Sequence, residues 1–381
     1  MLAAFASGCD VPEPPPELPT ATPGSRNPES DQARRVTAVR PTADPGFTPL
    51  DAPPGHIYFV RASRLWRIAP DGTGEVKLSD LPISSPPQPS PDGKLIAWVS
   101  GPDLYVAPSE GGPTRRLASG NVAERQRLGW TPDGSLLGYV AIDPATMGVE
   151  KAFAVPTEGG EPLLIGTTTL AAVPRGPTYE RTVQWSPDNK WVVFSSLASP
   201  MQLFRWPLST GREGDVRQIG GGEPEWSPDS RTLLFTQSVN GALHLYDVLD
   251  SEDIPFRDEQ QRVGTGLGEH AQGPGPRWSP ASGGWPSDPI AYRSRSPEGE
   301  PRVSIRLRGA RELPPLLSLT NNPSWSPSGD RLVVETGRLE EDVLGSRWVP
   351  TGLSIATVDM ANGEHKLTPL VKDAQWPTWG K

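Results

Sequence analysis

Trp185-Ser186-Pro187-Asp188-Asn189-Lys190-Trp191-Val192-Val193-Phe194 is the stretch that decides the fold. A tryptophan closes one strand, a Ser-Pro-Asp-Asn turn follows, and an apolar run opens the next strand. Proline presets the first central position of a type I turn, Asp follows it, and Asn or Gly tolerates the left-handed conformation that starts the return strand. Val, Phe and Trp are the residues a pleated, buried strand favours. The unit reads as a β-hairpin.

The same chemistry recurs at Ser90-Pro91-Asp92-Gly93, Thr131-Pro132-Asp133-Gly134, Ser227-Pro228-Asp229-Ser230 and, drifted, at Ser279-Pro280-Ala281-Ser282 and Ser326-Pro327-Ser328-Gly329. Tryptophans stand just before five of these turns, at 130, 185, 226, 278 and 325, spaced by 55, 41, 52 and 47 residues. A period of about 40 to 50 residues with four short strands per unit means propeller blades. Second strands starting at 57, 95, 136, 191, 232, 290 and 332 predict seven blades. Six is the alternative, because the region from Asp250 to Gly275 shows no clear outer strand.

The two ends of the repeat region supply the closure. His56-Ile57-Tyr58-Phe59, Leu65-Trp66-Arg67-Ile68 and Val76-Lys77-Leu78 read as the second, third and outer strands of a blade that lacks its inner one. Ala374-Gln375-Trp376-Pro377-Thr378-Trp379 copies Asn322-Pro323-Ser324-Trp325 and supplies that missing strand, which removes the open edge. The fold expected is therefore all-β, a seven-bladed propeller over residues 55–381 closed by its C-terminal strand.

The Trp-Ser-Pro-Asp-Gly-Lys pattern followed by an apolar strand resembles the TolB-type β-propeller repeat. That resemblance implies a toroid of four-stranded blades, often exported in bacteria, that binds proteins or peptides at one face or in the central channel. The same architecture hosts many functions, so the partner does not follow from it.

Ahead of the propeller, Ala6-Ser7-Gly8-Cys9 holds the only cysteine of the chain and resembles a bacterial lipoprotein signal, with Cys9 as the lipidation site and residues 1–9 as a truncated signal. Residues 10–54 read as a Pro-rich tether. Twelve prolines fall between 11 and 54, and large apolar residues are few, so this stretch is expected to be extended or disordered. Nowhere is there an apolar run long enough to span a bilayer, so any membrane association would rest on the lipid anchor alone. The layout implies a cell-envelope lipoprotein facing the periplasm or exterior.

A net charge of −9 argues against a nucleic-acid partner, whose phosphates need a concentrated basic face. Arg115-Arg116 reads as the charged edge of an outer strand. The insertions at 141–150, 167–181, 264–275, 294–301 and 336–351 all fall on one face of the propeller, that of the second-to-third and outer-to-inner connections. Binding residues concentrate on loops carried by a rigid scaffold. The candidates there are Arg175, Tyr179, Glu180, Arg181, Glu269, His270, Arg295, Arg338, Glu340, Asp342, Arg347 and Trp348. Trp285 and Trp348 are the tryptophans outside the repeat and the ones to test for ligand stacking. The others are expected to pack within and between blades.

Catalytic constellations are thin. His56, His244 and His365 sit on strands with no second ligand at a metal spacing, and no Gly-x-Ser-x-Gly elbow is present. The turn aspartates are one per blade, too dispersed to hold a calcium ion. The reading is a non-catalytic, monomeric scaffold without cofactor that binds a protein or peptide partner in the envelope. The alternative is a polysaccharide-binding or polysaccharide-active propeller using Glu269, His270 or the acids near Asp342.

Overall fold

The computed structural model describes residues 55–146, 148–168, 181–196, 200–208, 216–236, 243–249, 252–255, 276–280, 289–295, 300–306, 319–342, 345–358 and 365–381. Cys9 and the Pro-rich segment lie outside them. Each Ser-Pro-Asp turn closes as its residue types dictate. Ser186 Oγ donates to Asp188 Oδ1 at 2.6 Å and accepts the Trp191 N–H at 3.0 Å, while Asn189 takes φ +58°. Ser90, Thr131 and Ser227 repeat the pattern with Asp92, Asp133 and Asp229 at 2.7, 2.6 and 2.6 Å. The hydrogen bond from the turn hydroxyl is the largest of the effects that hold the Asp92 and Asp133 carboxyls below the usual range.

Seven sheets result. Blade one joins the C-terminal strand Gln375–Gly380 to His56–Arg61, Arg64–Ile68 and Val76–Lys77, with Ile57 opposite Trp379 and Tyr58 opposite Thr378. Blade two is Gln88–Pro89, Leu95–Ser100, Asp103–Pro108 and Arg115–Ala118; blade three is Gly129–Trp130, Leu136–Asp143, Val149–Pro156 and Leu163–Thr167. Blade four runs Arg181–Trp185, Trp191–Ser195, Met201–Arg205 and Arg217–Ile219, and its inner strand also takes Gln126–Arg127 in parallel. Blade five is Gly222–Trp226, Thr232–Thr236, Leu243–Asp247 and Glu252–Pro255. Blade six shows Arg277–Trp278, Ile290–Arg295 and Pro301–Arg306, and blade seven Thr320–Trp325, Arg331–Asp342, Gly345–Val358 and His365–Lys372.

The seven-blade count and the C-terminal closure are therefore as the sequence implies, and six blades are excluded. One local expectation changes: an outer strand does exist after Asp250, at Glu252–Pro255. The third strand of blade four ends at Arg205, and the ring of Trp206 just beyond it meets Trp185 edge-on at 5.3 Å.

The core is divided among the blade interfaces. Among the described residues seven apolar clusters form, and each takes its residues from two successive blades, including the pair that closes the ring. Strand alternation explains this: Leu332 and Val334 face blade six while Val333 faces blade one. Fully burying such a side chain is worth about 1.5–3 kcal/mol, so every interface contributes and no single blade holds a core of its own.

The repeated tryptophans lock these interfaces. The indole N–H groups of Trp130, Trp226 and Trp325 donate to the carbonyls of Gln88, Gln184 and Arg277 on the inner strand of the preceding blade, at 3.2, 3.3 and 3.1 Å. Gly129 is required where blades three and four come closest, because a Cβ there would stand 1.9 Å from the Val183 carbonyl oxygen.

Candidate functional site

The residue before each repeat tryptophan stands on the inner strand, at the edge of its blade that borders the channel. In blades five, six, seven and one these are Glu225, Arg277, Ser324 and Thr378, and all four line a cavity of about 260 Å³. Its walls are completed by Arg127, Gln88, Asn322, prolines 86, 89, 280, 323 and 377, and the edges of Trp278, Trp325, Trp376 and Trp379. Rigid apolar surface with a few convergent polar groups is the usual make-up of a ligand site.

The charges converge on one atom. Arg127 Nη1 donates to Glu225 Oε2, and Arg277 Nη1 stands 3.7 Å from the same oxygen. All three side chains are largely withdrawn from solvent, with 18, 15 and 13% of their surface exposed for Arg127, Glu225 and Arg277. Two guanidiniums therefore meet one carboxylate in a confined space, where charge interactions are stronger than in bulk water.

A second polar cluster sits closer to the elaborated face. The inner strands of blades five, seven and one carry Glu223-Pro224, Asn322-Pro323 and Trp376-Pro377. Proline cannot donate to the ladder, and in each case the strand pairing slips by a bulge beside it. The residue before the proline adopts φ of +56°, +47° and +54° respectively. Asn322 thereby lines the cavity, and Trp376 presents its backbone N–H to Glu335 Oε1 at 2.5 Å.

Glu335, on the second strand of blade seven, is only 2% exposed. Burial pushes its carboxyl up, against the opposing effects of the Trp376 N–H, the side chains of Asn322 and Trp348, and the charge of Arg293. Arg293, from blade six, is in turn lowered by burial and supported by Glu223 and Glu335. The cluster thus ties blades five, six, seven and one together around the channel. Asn322 Oδ1 and Trp348 Nε1 are buried there without a hydrogen-bond partner.

The loop candidates distribute unevenly. Arg175, Tyr179, Glu180, Glu269, His270 and Trp285 lie outside the described residues. Arg181 pairs through Nε with Glu150 Oε1 at 2.8 Å and reaches the Glu124 carbonyl at 3.4 Å, a largely buried ion pair between blades four and three. The stretches 141–150 and 336–351 are strand extensions rather than free loops. Leu136–Asp143 pairs with Val149–Pro156 around a short 3₁₀ turn, and Arg331–Asp342 pairs with Gly345–Val358 down to Asp342 opposite Gly345. Continued pairing satisfies the backbone groups that a loop would leave to water.

Arg338 and Glu340 form an exposed pair on that long hairpin, with Nη2 to Oε1 at 2.6 Å. The backbones of Asp342, Arg347 and Arg295 lie in strands, and their side chains are outside the described set. Trp348 is half-buried on the same hairpin. Its ring packs where a Gly337 Cβ would be, at 2.5 Å, and its indole N–H is directed at Glu335.

Sequence reasoning looked to loops and passed over Arg127, Glu225, Arg277, Asn322, Glu335 and Arg293. The signal was available for some of them. A charged residue beside the interface tryptophan, as in Glu225-Trp226 and Arg277-Trp278, stands on the inner strand, which borders the channel. Among the described residues no group of three or more His, Cys, Asp or Glu side chains is placed to hold a metal ion. His244 lies tilted beside Phe235, the ring centroids 5.6 Å apart.

No protein-family model matches the chain. In sequence it is similar to a tricorn protease homologue of Streptomyces coelicolor, 27% identical over 292 residues, which is 72% of this chain and 26% of that protein. The chain thus spans about a quarter of that relative's length. The protein is a β-propeller similar to TolB and to tricorn protease homologues. A putative 6-phosphogluconolactonase from Bacteroides fragilis superposes with a TM-score of 0.56 at 15% identity, covering 87% of this chain and 99% of that one. TolB from Acinetobacter baumannii gives a TM-score of 0.45 at 17% identity over 86% of this chain and 66% of that chain.

Proposed function

We propose that this propeller is a non-catalytic binding scaffold that takes an extended segment of a protein partner into its central channel, entering from the face that carries the long hairpin. The observation that carries the reading is the channel cavity, walled by prolines and tryptophans and furnished with one ionic cluster. Prolines and aromatic rings give contact area at little cost in side-chain entropy, which suits an extended peptide. Trp348 and the Arg338–Glu340 pair stand on the hairpin beside the mouth, where the flanking part of the partner would pass.

Cys9, within Ala6-Ser7-Gly8-Cys9, is the proposed lipidation site, holding the propeller at a bacterial envelope through the Pro-rich segment. Mass spectrometry of the mature N-terminus tests this part: an acylated peptide beginning at Cys9 is expected, and an unmodified one removes the anchor.

The channel reading is tested with peptides selected by display against the full chain. Filling the cavity with Thr378→Trp should abolish binding of the selected peptides while leaving the unfolding transition in place; Ser324 is kept, because its hydroxyl accepts the Trp379 N–H of the closing strand at 3.0 Å. Peptides that bind the filled variant unchanged would show that the channel is not the site.

A further inference from the structure

We infer that the long hairpin of blade seven is a strand-addition site: an extended segment of the partner pairs antiparallel with the inner edge of residues 338–342 and carries a basic, an apolar and an acidic residue in succession. This rests on the channel reading above for the kind of partner and adds where it docks and by what chemistry. Arg331–Asp342 pairs along its whole length with Gly345–Val358, but on its other side the inner strand Thr320–Trp325 reaches only Thr336. The last bond there is from the Gly337 N–H to the Leu319 carbonyl, at 3.1 Å. From that point the hairpin projects for residues 337–342, about 20 Å at the rise of a strand, with no second partner strand among the described residues.

Alternation fixes which backbone groups are left over. Gly337 turns its N–H to the inner side, so Leu339 and Glu341 turn theirs the same way, while Arg338 and Glu340 bond across to Val349 and Arg347. An open edge of this kind is a template for another strand. Backbone bonds then supply affinity and the side chains select the sequence.

Arg338 and Glu340 are exposed and pair with each other at 2.6 Å. A row of like charges would blunt the edge against any added strand; one charge of each sign instead selects a strand that carries the opposite signs in register. Both stand at the non-hydrogen-bonded positions of an added antiparallel strand, where facing side chains approach most closely. Leu339, between them, is half-buried and lies across from Trp348, so the middle residue of the partner meets apolar surface. The partner therefore reads basic, apolar, acidic from its N-terminal side, and its chain continues toward Leu319 and the channel. A second copy of this chain fits less well: matching Arg338 to Glu340 across a two-fold axis brings its Glu341 to the place Leu319 holds beside Gly337.

Ac-Thr-Val-Lys-Val-Glu-NH2 and its charge-exchanged counterpart Ac-Thr-Val-Glu-Val-Lys-NH2 are titrated into the isotope-labelled full chain and followed by nuclear magnetic resonance. The first is expected to bind several-fold more tightly, to slow hydrogen exchange at the Leu339 and Glu341 amides, and to do so equally in the cavity-filled Thr378→Trp variant. In the double variant Arg338→Glu, Glu340→Arg the preference should reverse. Replacing the second Val of the first peptide by Pro removes the N–H that the Leu339 carbonyl would accept and should abolish binding.

Equal binding of the two charged peptides in the parent and in the double variant, binding of neither, or a response lost in Thr378→Trp overturns the strand-addition site. The channel reading stands or falls separately, on the displayed peptides. Self-association of the full chain that Arg338→Glu abolishes would give the edge to a second copy and overturn the assignment as well.

Discussion

Glu335 offers the sharpest test of how the ring is held, through the pair of substitutions Glu335→Gln and Glu335→Ala. The side chain is 2% exposed, accepts the Trp376 N–H of the closing strand at 2.5 Å, and receives Asn322. Glutamine keeps an oxygen for Trp376. Its new NH2 can be met by Asn322, because Asn322 Oδ1 is unpaired and a flip of that amide turns it into the acceptor. Alanine keeps nothing: it leaves a buried backbone N–H without a partner and takes a carboxylate from beside Arg293.

A lost partner for a buried donor costs about 1–3 kcal/mol, and breaking a buried charge pair up to about 3–5. Glu223 still faces Arg293, so about 2–4 kcal/mol is expected for Glu335→Ala. For Glu335→Gln the sign depends on pH. Burial raises the folded-state pKa of Glu335 above its unfolded value. Its contribution to stability is therefore fully present below the unfolded pKa and is lost as pH rises through the folded one. Glutamine has no proton to lose. Urea unfolding followed by tryptophan fluorescence at pH 5, 7 and 9 should show the Gln variant close to the parent at pH 5 and gaining on it as pH rises. A Gln–parent difference independent of pH, or a Gln variant as unstable as Ala, would refute this account of the buried carboxyl.

Trp226→Phe removes an indole N–H bonded to the Gln184 carbonyl, whereas Trp185→Phe removes one with no partner, so chemical denaturation should show an added cost of about 1 kcal/mol for the first beyond lost packing. Gly138→Ala would place a Cβ 2.6 Å from the Trp185 ring and 2.8 Å from Val183 Cγ1, overpacking the interface of blades three and four by about 1–3 kcal/mol; Gly148→Ala, at φ +95° with open space around it, should cost only the backbone strain, about 1 kcal/mol. Asp92 and Asp133 have folded pKa values below the unfolded ones, so their contribution is present above the unfolded pKa and lost as pH falls through the folded one. An acid titration monitored by circular dichroism should accordingly show the Asp92→Asn, Asp133→Asn double variant less acid-sensitive than the parent.

The propeller was legible because it is built from local chemistry repeated. A Pro-Asp-Gly turn needs only its own four residues, and an apolar strand after it has one way to return; the turn, strand order, blade number and C-terminal closure all follow from spacing along the chain. The long hairpin of blade seven was read as loop because its polar sequence, Arg338 to Arg347, lacks the apolar alternation of a half-buried strand, and pairing there rests on backbone groups that every residue carries.

The site belongs to the ring. That Arg127 and Glu225 meet, though 98 residues apart, follows from which blades face the channel together and from the bulges that shift the inner strands of blades five and seven. The same holds for Glu335, whose sequence neighbours are those of an ordinary strand and whose environment comes from blades six, seven and one. Sequence alone determined which residues turn, which pair and which pack between blades, because those choices are made over a few residues. Only the tertiary structure decided which side chains share the channel, because that depends on closing seven separate sheets into a ring.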